Sequence, residues 1–277
     1  MRLVCGSRIL ELSAPVVMGV VNVTPDSFSD GGAFLDPRAA IARVERVVDE
    51  GAAIVDIGGE STRPGATPVP VSEELRRVMP VIERALQLPA IVSIDTSRPE
   101  VIRTALAAGV HMVNDVRALT FPGALEAAAG STAAVCVMHM QGGPADMQDN
   151  PRYDDVVREV AAFLAARVLA CERAGIARER IAIDPGIGFG KTVAHNLELL
   201  RNLDALAATG LPVLAGLSRK RMIGELTGRP VDRRLAGSVA LATIAALRGA
   251  SIVRAHDVAE TVDALRVVAA LCKRGEQ

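Results

Sequence analysis

The sequence predicts an α/β protein with a (β/α)8 TIM barrel, in which eight parallel strands close into a ring and helices surround them. Two observations lead to this prediction: short apolar runs recur eight times along the chain, and nearly every run delivers a polar residue at its C-terminal end. The chain length of 277 residues also suits this fold, which typically needs ~250 residues. An open doubly wound sheet is the alternative, but such a sheet would not require polar residues at all eight strand ends.

The chain begins with two short apolar runs on either side of Gly6 and Ser7, which predict an N-terminal β-hairpin. The barrel strands follow, and their apolar, β-branched character indicates burial on both faces. They are predicted over residues 16–21, 53–57, 91–94, 110–113, 133–138, 181–184, 212–216 and 251–253. The strand ends carry Asn22, Asp56, Asp95, Asn114, Met138, His139, Asp184, Ser218, Arg254, Ala255 and His256. Since the C-terminal ends of barrel strands surround one mouth, these residues are expected to converge there.

Helices are predicted between the strands, where apolar residues recur at helical spacing and caps or breakers mark the ends. Asp36 followed by Pro37 is typical of an N-cap with proline at the first helical position, and Gly51 ends that helix. The predicted helices cover residues 37–50, 99–108, 155–174, 196–208, 235–247 and 258–271. A further helix is predicted to start at residue 72. No low-complexity linker interrupts the chain, so a single domain is predicted over residues 1–277.

Composition and charge argue against several classes of function. A net charge of -1 and an aromatic content of 2% without tryptophan provide neither a basic surface nor stacking platforms for nucleic acid. The most apolar helix candidate, residues 235–247, is too short to span a bilayer and suits a buried helix. The four cysteines form no C-x-x-C pair, which indicates free thiols in a reducing compartment. A cytoplasmic location is therefore expected, without nucleic-acid or membrane partners.

A glycine-rich stretch follows the strand that ends at Asp184. Residues 185–192 read P-G-I-G-F-G-K-T, which differs from the nucleotide-binding pattern G-x-x-x-x-G-K-[ST] at the first position. The proline at that position lacks an N–H group and has a fixed φ, so a nucleotide site is disfavoured. The preferred interpretation is that the glycines allow a flat ligand to approach the backbone.

Asp95, Asn114 and Asp184 all lie at the ends of predicted strands. Any one of them could instead cap the next helix or satisfy a neighbouring loop. Together, two carboxylates and an amide suit a ligand edge that is rich in N–H donors, such as an aminopyrimidine. Lys220, which follows the seventh strand, could donate to a ring carbonyl of the same ligand.

Arg63, Arg254 and His256 are candidate anion ligands, and Asn22 is a candidate contact to a metal or a phosphate. A lone arginine after a strand is usually a surface ion-pair residue, but Arg-Ala-His at the last strand lies where barrels commonly bind phosphate. Residues 218–221, Ser-Arg-Lys-Arg, are predicted to begin a helix whose free N–H groups offer a second anion site. His111 precedes an apolar strand and is expected to be a packing residue.

A series of motifs in chain order resembles the dihydropteroate synthase family. M-G-V-V-N-V-T-P-D-S-F-S-D-G-G at residues 18–32 and D-I-G-G-E-S-T-R-P-G at 56–65 are similar to its two paired loop motifs. The resemblance continues with S-I-D-T at 93–96, N-D at 114–115, M-H-M-Q-G at 138–142, D-P-G-I-G-F-G-K at 184–191, S-R-K-R at 218–221 and R-A-H at 254–256. These motifs span nearly the whole chain, without a departure at a functional position.

The resemblance implies a reaction of folate biosynthesis, in which (7,8-dihydropterin-6-yl)methyl diphosphate condenses with 4-aminobenzoate and releases diphosphate, with Mg2+ as the cofactor. By resemblance, the pterin would be held by Asp95, Asn114, Asp184 and Lys220, in a pocket lined by Met138, Gly188 and Phe189. The diphosphate would contact Thr62, Arg63, Arg254, Ala255 and His256, with Asn22 on Mg2+. The aminobenzoate would be enclosed by Ser27, Phe28 and Pro64, and its carboxylate would lie near Ser218.

The chemistry that the resemblance implies is an SN1-like substitution. An arylamine is already neutral at physiological pH, so the difficult event is breaking the carbon–oxygen bond to diphosphate. The predicted catalytic residues are Asp95, Lys220, Arg254 and His256. Cations and Mg2+ would stabilise charge on the leaving group, and Asp95 would stabilise the cationic pterin-methyl species. Loop closure would exclude water, which would compete for that carbon.

Two other functions remain open from the sequence. A methyltransferase domain that binds methyltetrahydrofolate and passes the methyl group to a cobalamin protein would share the strand-end acids and amide, but would not need the Phe28 and Arg63 loops. A non-catalytic pterin-binding homologue would be expected to have lost loop or anion residues, which are all present. The resemblance also implies a homodimer, and inhibition by sulfonamides because they mimic 4-aminobenzoate.

Overall fold

The computed structural model describes residues 1–24, 37–61, 69–143 and 147–272. These residues contain ten strands and ten α-helices. The strands are β1 (Arg2–Cys5), β2 (Arg8–Glu11), β3 (Val16–Asn22), β4 (Ile54–Gly58), β5 (Ile91–Asp95), β6 (Met112–Asp115), β7 (Ala134–Met138), β8 (Ile181–Asp184), β9 (Leu214–Gly216) and β10 (Ile252–Ala255). The helices are α1 (Pro37–Asp49), α2 (Val71–Ala85), α3 (Pro99–Ala107), α4 (Ala124–Ala129), α5 (Val156–Arg173), α6 (Val193–Arg201), α7 (Leu203–Ala207), α8 (Arg221–Thr227), α9 (Leu235–Leu247) and α10 (Val258–Cys272).

Strands β3 to β10 form one parallel sheet that curves into a barrel. The strand order is β8-β7-β6-β5-β4-β3-β10-β9, and a parallel bridge between Ile183 and Val213 joins β8 to the residue just before β9. The backbone N–H of Ile183 also donates to the carbonyl of Pro212 (2.9 Å). The ring of eight strands is therefore connected at its last edge, and the predicted (β/α)8 fold is confirmed.

The barrel interior divides into an apolar lower part, at the N-terminal ends of the strands, and a polar upper part. Buried side chains of the lower part contact the antiparallel hairpin of β1 and β2; this cluster comprises Leu3, Cys5, Leu10, Leu12, Met18, Ile54, Ile91, Met112, Ala134, Cys136, Ala182, Leu214 and Ile252. Side chains on a strand alternate with a period of two, so the next inward position lies two residues later. On five strands that position is polar, namely Asp56, Ser93, Asn114, Asp184 and Arg254.

The opposite faces of the same strands pack against the helices. Val55 and Ile57 of β4 belong to the apolar cluster between strands and helices, together with Val44 and Val47 of α1. Most strand positions are therefore buried on one side or the other. This explains why the strands appear in the sequence as continuous apolar runs rather than as alternating patterns.

The predicted strands are confirmed in number and order, and their bounds differ by at most two residues. Strand β6 covers Met112–Asp115 instead of 110–113, and β4 extends to Gly58. The extension follows from the strand-end residues, because these continue the ladder: Asn22 pairs with Gly58, and Gly58 pairs with Asp95. Asn22 and Asp95 therefore lie within their strands and not in the loops that follow them.

The helix predictions are confirmed for the longer helices and need correction elsewhere. The single helix predicted over 196–208 is two helices, because the chain leaves helical geometry at Asn202 (φ -112°, ψ 25°). Helix α6 begins early, at a capping box in which Thr192 and His195 each accept from the other's backbone N–H. The six-residue helix α4 was not predicted, since it is too short to show a helical period. Asp36 lies outside the described residues.

The hairpin around Gly6 is confirmed, and Gly6 has the positive φ (65°) that its turn requires. The four cysteines are free thiols, three of them buried and Cys272 exposed. None of the helices in the described ranges is long and apolar enough to cross a membrane. Helix α9 has the predicted bounds, but it is not wholly buried, because Ile244 is 46% and Leu247 50% exposed.

Candidate active site

Asp56 lies at the centre of the polar upper part of the barrel and is fully buried. Its Oδ1 accepts a hydrogen bond from Ser93 Oγ (2.7 Å). Its Oδ2 accepts from Asn114 Nδ2 (3.0 Å) and from Arg254 Nε (2.6 Å). A buried carboxylate is stable only where such donors replace its lost hydration. Strands β4, β5, β6 and β10 therefore meet at this one side chain.

Arg254 joins Asp56 to Asp95. While Nε binds Asp56, Nη2 donates to Asp95 Oδ2 (2.8 Å). Asp95 lies two residues beyond Ser93 on β5, so it is one inward layer closer to the mouth. Burial opposes the charge of Arg254, but the two carboxylates raise the pKa of Arg254 above its ordinary value. The permanently charged guanidinium of Arg254 therefore pairs with both carboxylates.

The pKa of Asp95 lies in the neutral range. Burial raises this pKa to about 7, with Arg254 lowering it and the neighbouring Asp56 adding to the increase. The carboxyl group can therefore gain or lose its charge near physiological pH. A carboxyl group with such a shift at the mouth of a barrel is typical of a functional site.

Asp184 and Lys220 occupy another part of the mouth. Asp184 Oδ1 accepts from the backbone N–H of Gly186 (2.7 Å). Burial raises the pKa of Asp184 to about 6, whereas this hydrogen bond and Lys220 lower it. Burial lowers the pKa of Lys220 to about 8, opposed by the charge of Asp184. The ammonium of Lys220 lies 4.1 Å from the centroid of the Phe189 ring, within range of a cation–π contact.

The glycine segment (residues 186–190) packs against the loop after β7. A Cβ on Gly186 would lie 1.9 Å from the carbonyl oxygen of His139, and one on Gly190 would lie 2.4 Å from that of Gln141. Close backbone packing therefore requires these two glycines, and their interpretation as space for a flat ligand is wrong. Gly188 differs, since a Cβ there would lie 3.0 Å from Cδ of Lys220.

The glycine segment is not arranged as a phosphate loop, which would present free N–H groups to an anion. The N–H of Gly186 donates to Asp184. The N–H of Gly188 donates to Asn196 Oδ1 (2.8 Å), and that of Phe189 to the carbonyl of Gly186 (3.0 Å). These internal bonds agree with the disfavoured nucleotide site.

Ser218 and His256 meet where β9 and β10 end. Ser218 Oγ accepts from the backbone N–H of His256 (3.2 Å) and lies 3.1 Å from His256 Nδ1. Burial, together with Arg254 and Arg219, lowers the pKa of His256 to about 3. The imidazole is therefore neutral at physiological pH, and it can accept at Nδ1 from the Ser218 hydroxyl while Nε2 carries the proton.

The helix predicted to begin at residues 218–221 begins at the end of that stretch. Helix α8 starts at Arg221, with Lys220 as its N-cap. Arg219 has a positive φ of 58°; its N–H donates to Ser238 Oγ (2.9 Å), and its guanidinium pairs with Asp257 (2.5 Å). Ser218 thus lies in a loop, and the predicted anion site on helical N–H groups is not formed at that residue.

The remaining predicted residues divide into two groups. Met138 and Ala255 are buried at the ends of β7 and β10, and Asn22 is half-buried at the end of β3. His111 is confirmed as a packing residue, since it is buried and its Nδ1 accepts from the N–H of Val92 (3.0 Å). The predictions that lie outside the described residues concern Ser27, Phe28, Thr62, Arg63 and Pro64.

Three residues of the site were not assigned a role from the sequence. The sequence indicates Asp56 only as a strand end and Ser93 only as part of a motif. The alternation along each strand could have identified them: Asp56 lies two positions after Ile54 and Ser93 two positions after Ile91, so both side chains point into the barrel. Lys191 is buried, with Nζ 2.9 Å from the carbonyl oxygen of Phe189. No periodicity identifies a lysine that lies inside a loop.

The chain is similar along its length to known proteins. The family model described as pterin binding enzyme matches residues 18–256. The dihydropteroate synthase of Escherichia coli (strain K12) is 51% identical over 271 residues, which cover 98% of this chain and 96% of that protein.

Two solved structures are similar in fold and in sequence. The dihydropteroate synthase of Xanthomonas albilineans with 4-aminobenzoic acid has a TM-score of 0.93 and 57% identity, and covers 99% of each chain. The Yersinia pestis dihydropteroate synthase with a sulfonamide drug complex has a TM-score of 0.93 and 49% identity, over 98% of this chain and 99% of that one.

Asp56→Ala is expected to lower the free energy of unfolding by ~3–5 kcal/mol, because Arg254 and Asn114 would lose their shared buried acceptor. Asp263→Ala is the control, since it breaks an exposed pair with Arg266 (3.5 Å; side chains 77% and 74% exposed). Exposed pairs contribute only ~0.2–1 kcal/mol. Urea denaturation at neutral pH measures both variants, and equal losses would contradict the central position of Asp56.

Proposed function

This chain belongs to the pterin-binding enzyme family, and on that basis we propose how its residues carry out the dihydropteroate synthase reaction. The function is that of a transferase in folate biosynthesis: (7,8-dihydropterin-6-yl)methyl diphosphate condenses with 4-aminobenzoate to give 7,8-dihydropteroate and diphosphate. The observation that carries this conclusion is the near-full-length similarity to dihydropteroate synthases, in sequence and in fold.

The pterin ring is assigned to the acids, the amide and the lysine at the barrel mouth. Asn114 Nδ2 donates to Asp56, which leaves Oδ1 as the acceptor of that amide. With Asp95 and Asp184, the site offers acceptors for the N–H groups of an aminopyrimidine, and Lys220 offers a donor for the ring carbonyl. Met138, Gly188 and Phe189 are proposed to line this pocket, since Phe189 already supports Lys220.

The diphosphate is assigned to the neighbouring side of the mouth, near Arg254, Ala255 and His256. His256 is neutral there, and its Nε2–H suits a phosphate oxygen. By family resemblance Thr62 and Arg63 would complete this half of the site. The 4-aminobenzoate would be enclosed by Ser27, Phe28 and Pro64, with its carboxylate towards Ser218. Inhibition by sulfonamides follows from the same assignment, because these compounds mimic 4-aminobenzoate.

Mg2+ is proposed to bind together with the diphosphate. Within the described ranges, no group of three or more His, Cys, Asp or Glu side chains could hold a metal ion. Mg2+ often binds through one or two protein oxygens, with waters and substrate phosphates supplying the rest. The half-buried amide of Asn22 at the end of β3 fits that donor set. Mg2+ bound there would neutralise negative charge on the leaving group.

The proposed mechanism is an SN1-like substitution in which the protein stabilises separated charges. Asp95 in its ionised form lies where it can stabilise the cationic pterin-methyl species, and Arg254 holds that carboxylate in place. Arg254 and His256 supply positive charge and a donor around the departing diphosphate, while Lys220 holds the pterin ring. The amine attacks from the 4-aminobenzoate side and then loses a proton to solvent.

The two alternative functions fit less well. A methyl-transferring barrel for methyltetrahydrofolate needs no diphosphate site, whereas here Arg254 binds Asp95 and His256 follows two residues later. A non-catalytic homologue would not need to retain a carboxyl group whose pKa lies near 7 next to a buried guanidinium. Both alternatives predict that no dihydropteroate is formed.

We also propose a homodimer, because apolar side chains remain exposed on α9 and α10. Ile244, Leu247, Val267 and Leu271 are 46%, 50%, 69% and 73% exposed, and exposed apolar surface of this kind is typical of subunit interfaces. Light scattering should give twice the chain mass of 29.0 kDa, and the mass of a single chain at micromolar concentration would contradict the proposal. The free thiols favour a cytoplasmic location.

The test of the reaction mixes the purified protein with dihydropterin diphosphate, 4-aminobenzoate and Mg2+, and follows dihydropteroate and diphosphate together. Equal release of both products is expected, and EDTA should abolish it. Diphosphate without dihydropteroate would mean that the carbon–oxygen bond breaks but the amine site fails. Absence of both products despite measurable pterin binding would favour the non-catalytic homologue.

The value of kcat/KM is expected to rise as pH increases towards neutrality. Asp95 must be ionised to stabilise a cation, and burial raises the pKa of Asp95 to about 7, so activity is lost as pH falls through that value. Asp184, with a pKa raised to about 6, adds to the same acid limb. A pH–rate profile between ~5.5 and ~8.5 measures this limb.

His256→Gln is the control for the assignment of this limb to carboxylates. Histidine is the usual source of a limb near neutral pH, but burial lowers the pKa of His256 to about 3. The variant should therefore turn over more slowly while its acid limb stays at the same pH. Disappearance of the limb in His256→Gln would assign it to the imidazole and contradict the role of Asp95.

A further inference from the structure

Four of the five carbonyl groups in the glycine segment accept hydrogen bonds from side chains. Lys191 Nζ donates to the carbonyls of Gly186 (3.0 Å) and Phe189 (2.9 Å). A second and a third donor come from the loop after β7: Gln148 Nε2 to Gly188 (2.9 Å) and Tyr153 Oη to Gly190 (2.7 Å). The segment is thus held by three side chains whose donors all point at its backbone.

Lys191 is the central member of this set. It is only 3% exposed, and its Nζ also lies 3.0 Å from Nδ1 of His139. Burial and the nearby ammonium lower the pKa of His139 to about 3, so the ring is neutral and Nδ1 can accept. Burial lowers the pKa of Lys191 to about 7, but the carbonyls and Nδ1 around Nζ favour the ammonium, which has three donors to offer.

The glycine segment connects this buried lysine to the proposed pterin pocket. Phe189 presents its carbonyl to Lys191 and its ring to the ammonium of Lys220 (4.1 Å). Gly188 lies against the stem of Lys220, where even a methyl group would be only 3.0 Å from Cδ. A displacement of the segment would therefore move both the ring below Lys220 and the backbone beside it.

We propose that Lys191 is a positioning residue for the pterin end of the site: with Gln148 and Tyr153, it holds the glycine segment so that Phe189 and Lys220 keep the geometry that binds the pterin ring. Lys191 does not itself touch the substrate, and it acts through Phe189. The inference rests on the proposed function, since it assigns the pterin to the pocket beside Lys220.

The decisive variant is Lys191→Met, which keeps the length of the side chain and removes its donors. The KM for dihydropterin diphosphate and the Kd for 7,8-dihydropteroate are expected to rise at least ~10-fold, because small displacements of groups that position a substrate have large effects. The KM for 4-aminobenzoate should stay within about twofold, since its proposed contacts lie elsewhere in the mouth. Steady-state kinetics and isothermal titration calorimetry give these constants.

Arg180→Met is the matched control. Arg180 Nε and Nη2 both donate to the carbonyl of Ala133 (2.9 and 2.6 Å) at the start of β7, at the far end of the barrel. This variant also removes a cation from a backbone carbonyl and should lose stability, yet it should leave the KM for the pterin substrate unchanged. If the KM for the pterin substrate rose as much in Arg180→Met as in Lys191→Met, the effect would come from general destabilisation, and the proposal would be overturned.

Tyr153→Phe keeps the proposal testable if Lys191→Met does not fold. It removes a single donor from Gly190 and retains the ring, so a smaller rise in the pterin KM is expected, again with the 4-aminobenzoate KM unchanged. Pterin constants that stay at the wild-type value in every folded variant would overturn the proposal. A wild-type protein that forms no dihydropteroate would instead overturn the proposed function, so the two failures are distinguishable.

Discussion

The upper half of the barrel depends on a single requirement, which is that the buried carboxylate of Asp56 must be surrounded by donors. Ser93, Asn114 and Arg254 supply them from three other strands. The layer beneath them, which the hairpin covers, is apolar. A barrel core could be filled more simply with apolar side chains, which are often as stable as a buried ion pair. The buried charges of Asp56 and Arg254 are therefore better explained by the groups that they hold in place at the mouth than by stability alone.

What the network holds is a second acid. Arg254 is fixed from below by Asp56, so its Nη2 is directed to Asp95. Burial and the charge of Asp56 keep the pKa of Asp95 high, and the guanidinium limits the increase. The result is a carboxylate that can be ionised near neutral pH and is held beside a buried guanidinium. Its position comes from strand registry, and rigid elements fix catalytic geometry better than loops do.

The sequence was sufficient for the barrel and for the strand ends that meet at its mouth, because both follow from local patterns. Apolar runs with polar ends need only the two-residue alternation and the common direction of parallel strands. It was insufficient where a contact joins distant segments. The role of Asp56 depends on Arg254, nearly two hundred positions later, and the need for Gly186 depends on the carbonyl of His139. The start of α8 likewise moved because Ser238 and Asp257 hold Arg219 in a turn.

The glycine segment nearly matches the phosphate-loop motif in sequence, but the roles of its backbone groups and its lysine are reversed. In a phosphate loop, backbone N–H groups face an anion and the lysine faces the phosphates. Here Asp184 takes the first N–H, and Lys191 turns inward to the carbonyls that the segment presents instead. The segment therefore binds its own cation, and Lys191 is not available to a nucleotide. With Lys191 used to fix the backbone, Lys220 is the lysine that contacts the ring of Phe189 (4.1 Å).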